Sequence, residues 1–88
     1  MVTKKVTIKN PTGLHLRPAG MFCKKASEFE DCSIKFQIGK TTGNAKSVLS
    51  VLAAGIKMGD EIELIFDGEN EEKIMEEMID FIENKLED

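Results

Sequence analysis

Apolar residues in this chain change their spacing repeatedly, and that change constrains the fold more than any other feature. In VTKKVTIK, residues 2–9, Val2, Val6 and Ile8 fall on one side of an extended strand, with Thr3, Lys5, Thr7 and Lys9 on the other. From about residue 17 to 29 the period lengthens. Ala19, Phe22, Cys23, Ala26 and Phe29 follow helical spacing, while Lys24, Lys25 and Glu28 lie off the stripe. Alternation returns at Cys32, Ile34, Phe36 and Ile38, and again at Ile62, Leu64 and Phe66 in residues 60–66.

Turn chemistry divides these segments. NPTG and GKTTG read as turns, the second with a short strand on its near side. NAKSVLSVLAAG reads as a short helix with Ser47 as its cap and Gly55 as its stop. Asn70 is placed to cap a last helix whose apolar positions are Ile74, Met75, Met78, Ile79, Ile82 and Leu86. The order is β-α-β-β-α-β-α. Because each strand alternates, one face of the sheet is buried and the other is wet. An α+β fold follows, one antiparallel-rich sheet with helices against one face.

At 88 residues, 41% of them hydrophobic, the chain has material for one core, so residues 1–88 are expected to form a single domain. No apolar run approaches the roughly 20 residues of a membrane span, and no leader pattern precedes the first strand, so a soluble, cytoplasmic protein is expected. Cys23 and Cys32 both fall on apolar periodicities and are expected to be inert core thiols. Charge is divided: residues 69–88 hold nine acidic and two basic side chains, residues 1–68 seven and ten. With no arginine-rich stripe and no interleaving of aromatic and basic residues, nucleic acid is an unattractive partner, whereas another protein remains open.

Few residues can carry chemistry. There is no zinc cluster, no Walker A loop and no dinucleotide fingerprint, and the reading calls for no metal or cofactor. The one histidine and the one arginine stand two positions apart in TGLHLRPAG. Gly13 permits a tight approach, and Pro18 suits a first helical turn because its missing N–H serves no helical bond. His15 then sits immediately before the unpaired N–H groups and positive end of a helix. Arg17 adds a guanidinium suited to bidentate phosphate contact. Local physics leaves three readings: a surface histidine beside a capped helix, an anion site, and a covalent phosphoryl acceptor.

Two segments in the right order narrow them. GLHLRPAG resembles the active-site signature of HPr, the histidine-containing phosphocarrier family of the bacterial phosphoenolpyruvate:sugar phosphotransferase system, and KSVLSVLAAGIKMG resembles the family's second signature. The resemblance spans essentially the whole chain. It implies an open-faced β-sandwich, a four-stranded antiparallel sheet covered on one face by three helices. It further implies that His15 takes a phosphoryl group on Nδ1 from enzyme I and passes it to EIIA domains. Arg17 would hold the phosphoryl oxygens, with Leu16 and Pro18 supporting the helix start. Ser47 matches the regulatory serine, target of HPr kinase/phosphorylase, through which some homologues act as corepressors of a catabolite-control transcription factor. A docking patch is expected from Val48 and Leu52, with charge from Lys24, Lys46 and Lys57. The implied carrier is a monomer, without nucleic acid, membrane insertion or cofactor. Ser50 stands where the second signature commonly has glycine, and one extra residue lies around Glu30–Asp31.

Overall fold

The structure, a computed structural model, describes residues 1–86. Its elements run β1 (Val2–Thr7), α1 (Leu16–Ser27), β2 (Cys32–Ile38), β3 (Thr41–Asn44), α2 (Val48–Ala53), β4 (Glu61–Gly68) and α3 (Glu71–Asn84). The four strands form one sheet in the order β1-β4-β2-β3, and every neighbouring pair is antiparallel. The three helices cover one face of it, so the expected open-faced sandwich is the fold observed.

Strand alternation does the sorting. Val6, Ile34, Phe36, Ile62, Leu64 and Phe66 are buried beneath the helices, which contribute Ala19, Phe22, Ala26, Val51, Ile74 and Met78 to the same core. The open face is polar and mixed in charge. There Glu63 stands between Lys5 on β1 and Gln37 on β2, and Ile65 stands between Thr3 and Lys35. Cross-strand opposites of this kind keep an uncovered sheet face solvated.

Some boundaries differ from the sequence reading, for local reasons. The first strand leaves the sheet at Thr7, although Ile8 is fully buried. Ile8 bonds instead to the turn before β4, donating to the Asp60 carbonyl at 2.9 Å and accepting from Gly59 N–H at 2.8 Å. Phe29 lies beyond the end of α1 and Leu86 beyond the end of α3, each half-buried against the core. Asn70 occupies the N-cap position of α3 but in left-handed backbone (φ 57°), and its side chain makes no capping bond. Glu71 and Glu72 in the first turn complement that helix end instead.

Candidate functional site at the start of helix α1

The loop before α1 is built from its own backbone. Gly13 N–H donates to the Asn10 carbonyl at 2.9 Å, closing a turn that needs φ of +68° at Gly13. The next residue, Leu14, is buried and donates to the Ile56 carbonyl at 3.0 Å. This bond joins the loop to the segment that follows α2. A side chain at position 13 would collide with that segment, since a Cβ there would lie 2.4 Å from the Ile56 oxygen.

His15 is the N-cap residue of α1 (φ −75°, ψ −171°), and its carbonyl accepts the first helical bond, from Ala19 N–H at 2.8 Å. Its imidazole makes no capping bond and is exposed. The N–H groups of Leu16 and Arg17 precede the first helical donor, and Pro18 has none to offer. No acidic side chain occupies the first turn. Pro18, Ala19 and Phe22 are buried and anchor the turn, while Leu16 (67% exposed) and Arg17 project outward with the histidine. Positive helix end, guanidinium and imidazole therefore share one exposed corner.

Helix α2 is the neighbour. Ser47 is its N-cap, with Oγ accepting from Ser50 N–H at 3.3 Å, and Gly55 follows its end at φ +63°. Both expectations for these residues hold. Val51 is fully buried, Val48 and Leu52 are half-buried, and Leu49 is 81% exposed. The residue of this helix most available to a partner is thus Leu49, which the sequence reading passed over. A signal for it existed: Val48, Val51 and Leu52 form the inward i, i+3, i+4 stripe, and Leu49 is apolar off that stripe. Met58, 60% exposed just beyond the Ile56 contact, was missed too.

The lysines divide. Lys24 is exposed on α1. Its neighbour Lys25 pairs with Glu28 at 3.3 Å and lies over the Phe29 and Phe81 rings, 5.4 and 6.0 Å from their centroids. Lys57 is exposed, its backbone N–H bonded to Asp60 Oδ2 at 2.8 Å. Lys46, expected to bring charge to a docking patch, has another task. Its Nζ donates to the carbonyls of Phe29 at 2.6 Å and Cys32 at 2.7 Å. The ammonium is committed to the turn between α1 and β2.

Neither cysteine is poised as a nucleophile. Both are free thiols in the core, and burial pushes Cys23 up to about 11 and raises Cys32 as well. Among the described residues no group of three His, Cys, Asp or Glu side chains could hold a metal ion, and no helix is long and apolar enough to cross a membrane.

With this corner in view, comparison with known proteins is direct. A family model described as the HPr component phosphorylation site of the phosphotransferase system matches residues 2–84. The HPr-like protein Crh of Halalkalibacterium halodurans is 39% identical over 85 residues, covering 97% of this chain and all of that protein. The phosphocarrier protein HPr of Treponema pallidum is 34% identical over 88 residues, covering 100% of this chain and 99% of that one. Among solved structures, HPr-C-His from Thermoanaerobacter tengcongensis superposes with a TM-score of 0.91 at 35% identity, over 98% of this chain and 96% of that one.

Proposed function

The chain belongs to the HPr family of phosphotransferase-system phosphocarriers, and from that premise we propose that His15 accepts a phosphoryl group on Nδ1 from enzyme I and passes it to EIIA domains. The general role is that of a carrier, not of a stand-alone enzyme. One observation supports the finer reading above others: the N-cap imidazole of α1 is exposed and unused for capping, at the positive end of the helix.

In the proposed step, the Nδ1 lone pair attacks phosphorus in line with the bond to the donor on enzyme I. An N–P bond forms as that bond breaks, and the donor keeps its electron pair. Arg17 holds the equatorial oxygens, and the N–H groups of Leu16 and Arg17 meet charge that gathers on them. The reverse geometry serves the EIIA acceptor. Exposure suits a hand-off between two partners in turn, and short encounters suit it better than tight binding. Leu16, Leu49 and the outer edges of Val48 and Leu52 would meet the partner's apolar surface, with Lys24 supplying charge at the rim. The carrier works as a monomer in the cytoplasm.

Ser47 supports a second, regulatory arm. Its hydroxyl sits at the α2 N-cap, and a phosphate there adds about −1.5 to −2 charge beside the docking surface. HPr kinase/phosphorylase would install it, and a catabolite-control transcription factor would read it.

Incubation with phosphoenolpyruvate and enzyme I tests the carrier reading. The wild-type chain gains acid-labile phosphate and a His15→Ala chain gains none. An unlabelled wild type would instead leave a regulatory homologue or a mere anion-binding domain. ATP with HPr kinase/phosphorylase tests the second arm through acid-stable label that Ser47→Ala abolishes.

A further inference from the structure

We infer that Lys46 is a positioning residue for Ser47, and that its ammonium stays on two backbone carbonyls when Ser47 carries a phosphate, leaving that charge unneutralised by its nearest neighbour in sequence. The inference rests on the reading of Ser47 as a regulatory phosphorylation position and specifies how that regulation works.

The segment that delivers Ser47 is fixed bond by bond. Ala45, fully buried, donates to the Ile34 carbonyl at 2.9 Å. Lys46 N–H donates to Asn44 Oδ1 at 2.9 Å and Ser47 N–H to the Asn44 carbonyl at 3.0 Å. These bonds tie the segment to β2 and β3. The Lys46 side chain ties it to the turn between α1 and β2, through Phe29 and Cys32, 17 and 14 residues away. That turn contains Glu30 and Asp31, and the Asp31 carbonyl accepts from Glu69 N–H, just past the end of β4, at 3.4 Å.

Both carbonyl bonds are short, charge-assisted and part-buried. Among the described residues the Phe29 carbonyl has one other donor, Cys32 N–H at a longer 3.3 Å. Moving the ammonium to a phosphate on Ser47 would forfeit both bonds and leave part-buried acceptors short of donors. A phosphate on the exposed side of the N-cap, by contrast, is well solvated without it. The modification then delivers its whole charge to an approaching partner, rather than being cancelled within the chain.

The test uses the full chain with phosphoserine built in at position 47 during synthesis, as wild type, Lys46→Met and Lys46→Arg. Phosphorus NMR titration is expected to place the second phosphate ionisation at the same pH in all three, within ~0.2. A wild-type value ~0.5 or more below that of Lys46→Met would mean that the ammonium has moved to the phosphate, and would overturn the inference. In the unmodified chains, amide exchange over residues 45–50 is expected to be about tenfold faster in Lys46→Met and restored in Lys46→Arg, which keeps donors for both carbonyls. Unchanged exchange in Lys46→Met would remove the positioning role. If the Met chain does not fold, the lysine ammonium nitrogen spectrum of the wild type decides. A Lys46 signal unmoved by phosphorylation supports the inference, and a displaced one rejects it. Failure of the kinase to act on wild-type Ser47 would sink the regulatory reading, while the synthetic phosphoserine chain still reports where the ammonium lies.

Discussion

Leu14 donates its backbone N–H to the Ile56 carbonyl at 3.0 Å, so the loop that carries His15 rests directly on the segment that leaves α2. The residue before Leu14 makes this approach possible. Gly13 adopts φ of +68° and lies so close to the partner segment that a Cβ would sit 2.4 Å from the Ile56 oxygen and 2.7 Å from Lys57 Cα. Both obstacles are backbone, which cannot swing aside. Gly13→Ala should therefore destabilise the chain by about 2 kcal/mol or more in urea unfolding. It should also slow phosphorylation by enzyme I even where the chain remains folded, because the N-cap histidine is set from this contact. A variant with wild-type stability and rate would show that the two segments are not held together as described.

Ser47 has a structural duty separable from any modification. Its Oγ accepts from Ser50 N–H, one of the otherwise unpaired donors of α2. Ser47→Ala should cost about 1 kcal/mol in urea unfolding, whereas Ser47→Asp, which keeps a capping oxygen, should stay within ~0.5 kcal/mol of wild type. The Asp variant nevertheless places a negative charge at the proposed docking surface and should slow transfer from enzyme I. Equal stability in all three chains would leave the cap without energetic weight.

What could be read from the residues follows the range of the interactions. The switch between two-residue and helical spacing is local, and it located the helices and the three longer strands. GKTTG, read as a turn with a strand on its near side, instead holds the start of β3 itself, with Thr41, Thr42 and Gly43 paired to Ile38, Gln37 and Phe36. His15, Arg17 and Pro18 were legible because a helix start is written in adjacent residues. Strand order was not legible locally, since the placement of β4 between β1 and β2 depends on pairing between Val2 and Phe66 or Ile34 and Phe66. Lys46 misled for the same reason: a lysine before a helix-capping serine reads as surface charge until the fold brings two distant carbonyls to it. Asn70 failed differently. Asparagine suits both an N-cap and left-handed backbone, and the chain reversal after Gly68 took the second.

Burial of the thiols has a pH consequence. Cys23 rises from 9.0 to about 11 through desolvation, and Cys32 rises for the same principal reason, against the lowering influence of the Asp67 backbone bond and the Lys46 charge. In the unfolded chain both ionise at their ordinary values, so above that pH the unfolded state binds fewer protons than the folded one. The Cys23 contribution to stability is therefore complete below about pH 9 and is lost as pH rises toward about 11, and that of Cys32 is lost in the same direction. Urea midpoints should fall across that window, and less steeply in Cys23→Ala. Thiol reagents at neutral pH should label the native chain only at the rate of its opening.

In the proposed transfer step, Arg17 holds the oxygens of the transferring phosphoryl group. A guanidinium presents paired donors in a fixed plane, and an ammonium does not. Arg17→Ala should slow transfer to and from His15 by roughly a hundredfold, and Arg17→Lys should recover only part of that. The measurement is single-turnover transfer from phosphorylated enzyme I. Full activity of the lysine chain would reduce the role to charge alone.

Leu49 and Val51 offer the sharpest separation of docking from packing, because they are two turn-neighbours of one short helix with opposite surroundings. Leu49 is 81% exposed and Val51 is fully buried. Truncating an exposed side chain leaves no cavity, so Leu49→Ala should change stability by no more than ~0.5 kcal/mol. Val51→Ala removes buried methyl groups and should cost about 2 kcal/mol. Function should order them the other way. Loss of an apolar anchor worth about one decade of affinity would raise the apparent KM of enzyme I for Leu49→Ala roughly tenfold with kcat little changed. Val51→Ala, at a temperature where it stays folded, keeps the docking surface and should keep that KM. The reverse pattern would move the docking surface away from α2, and would return Val48 and Leu52 to an ordinary place at the edge of the core.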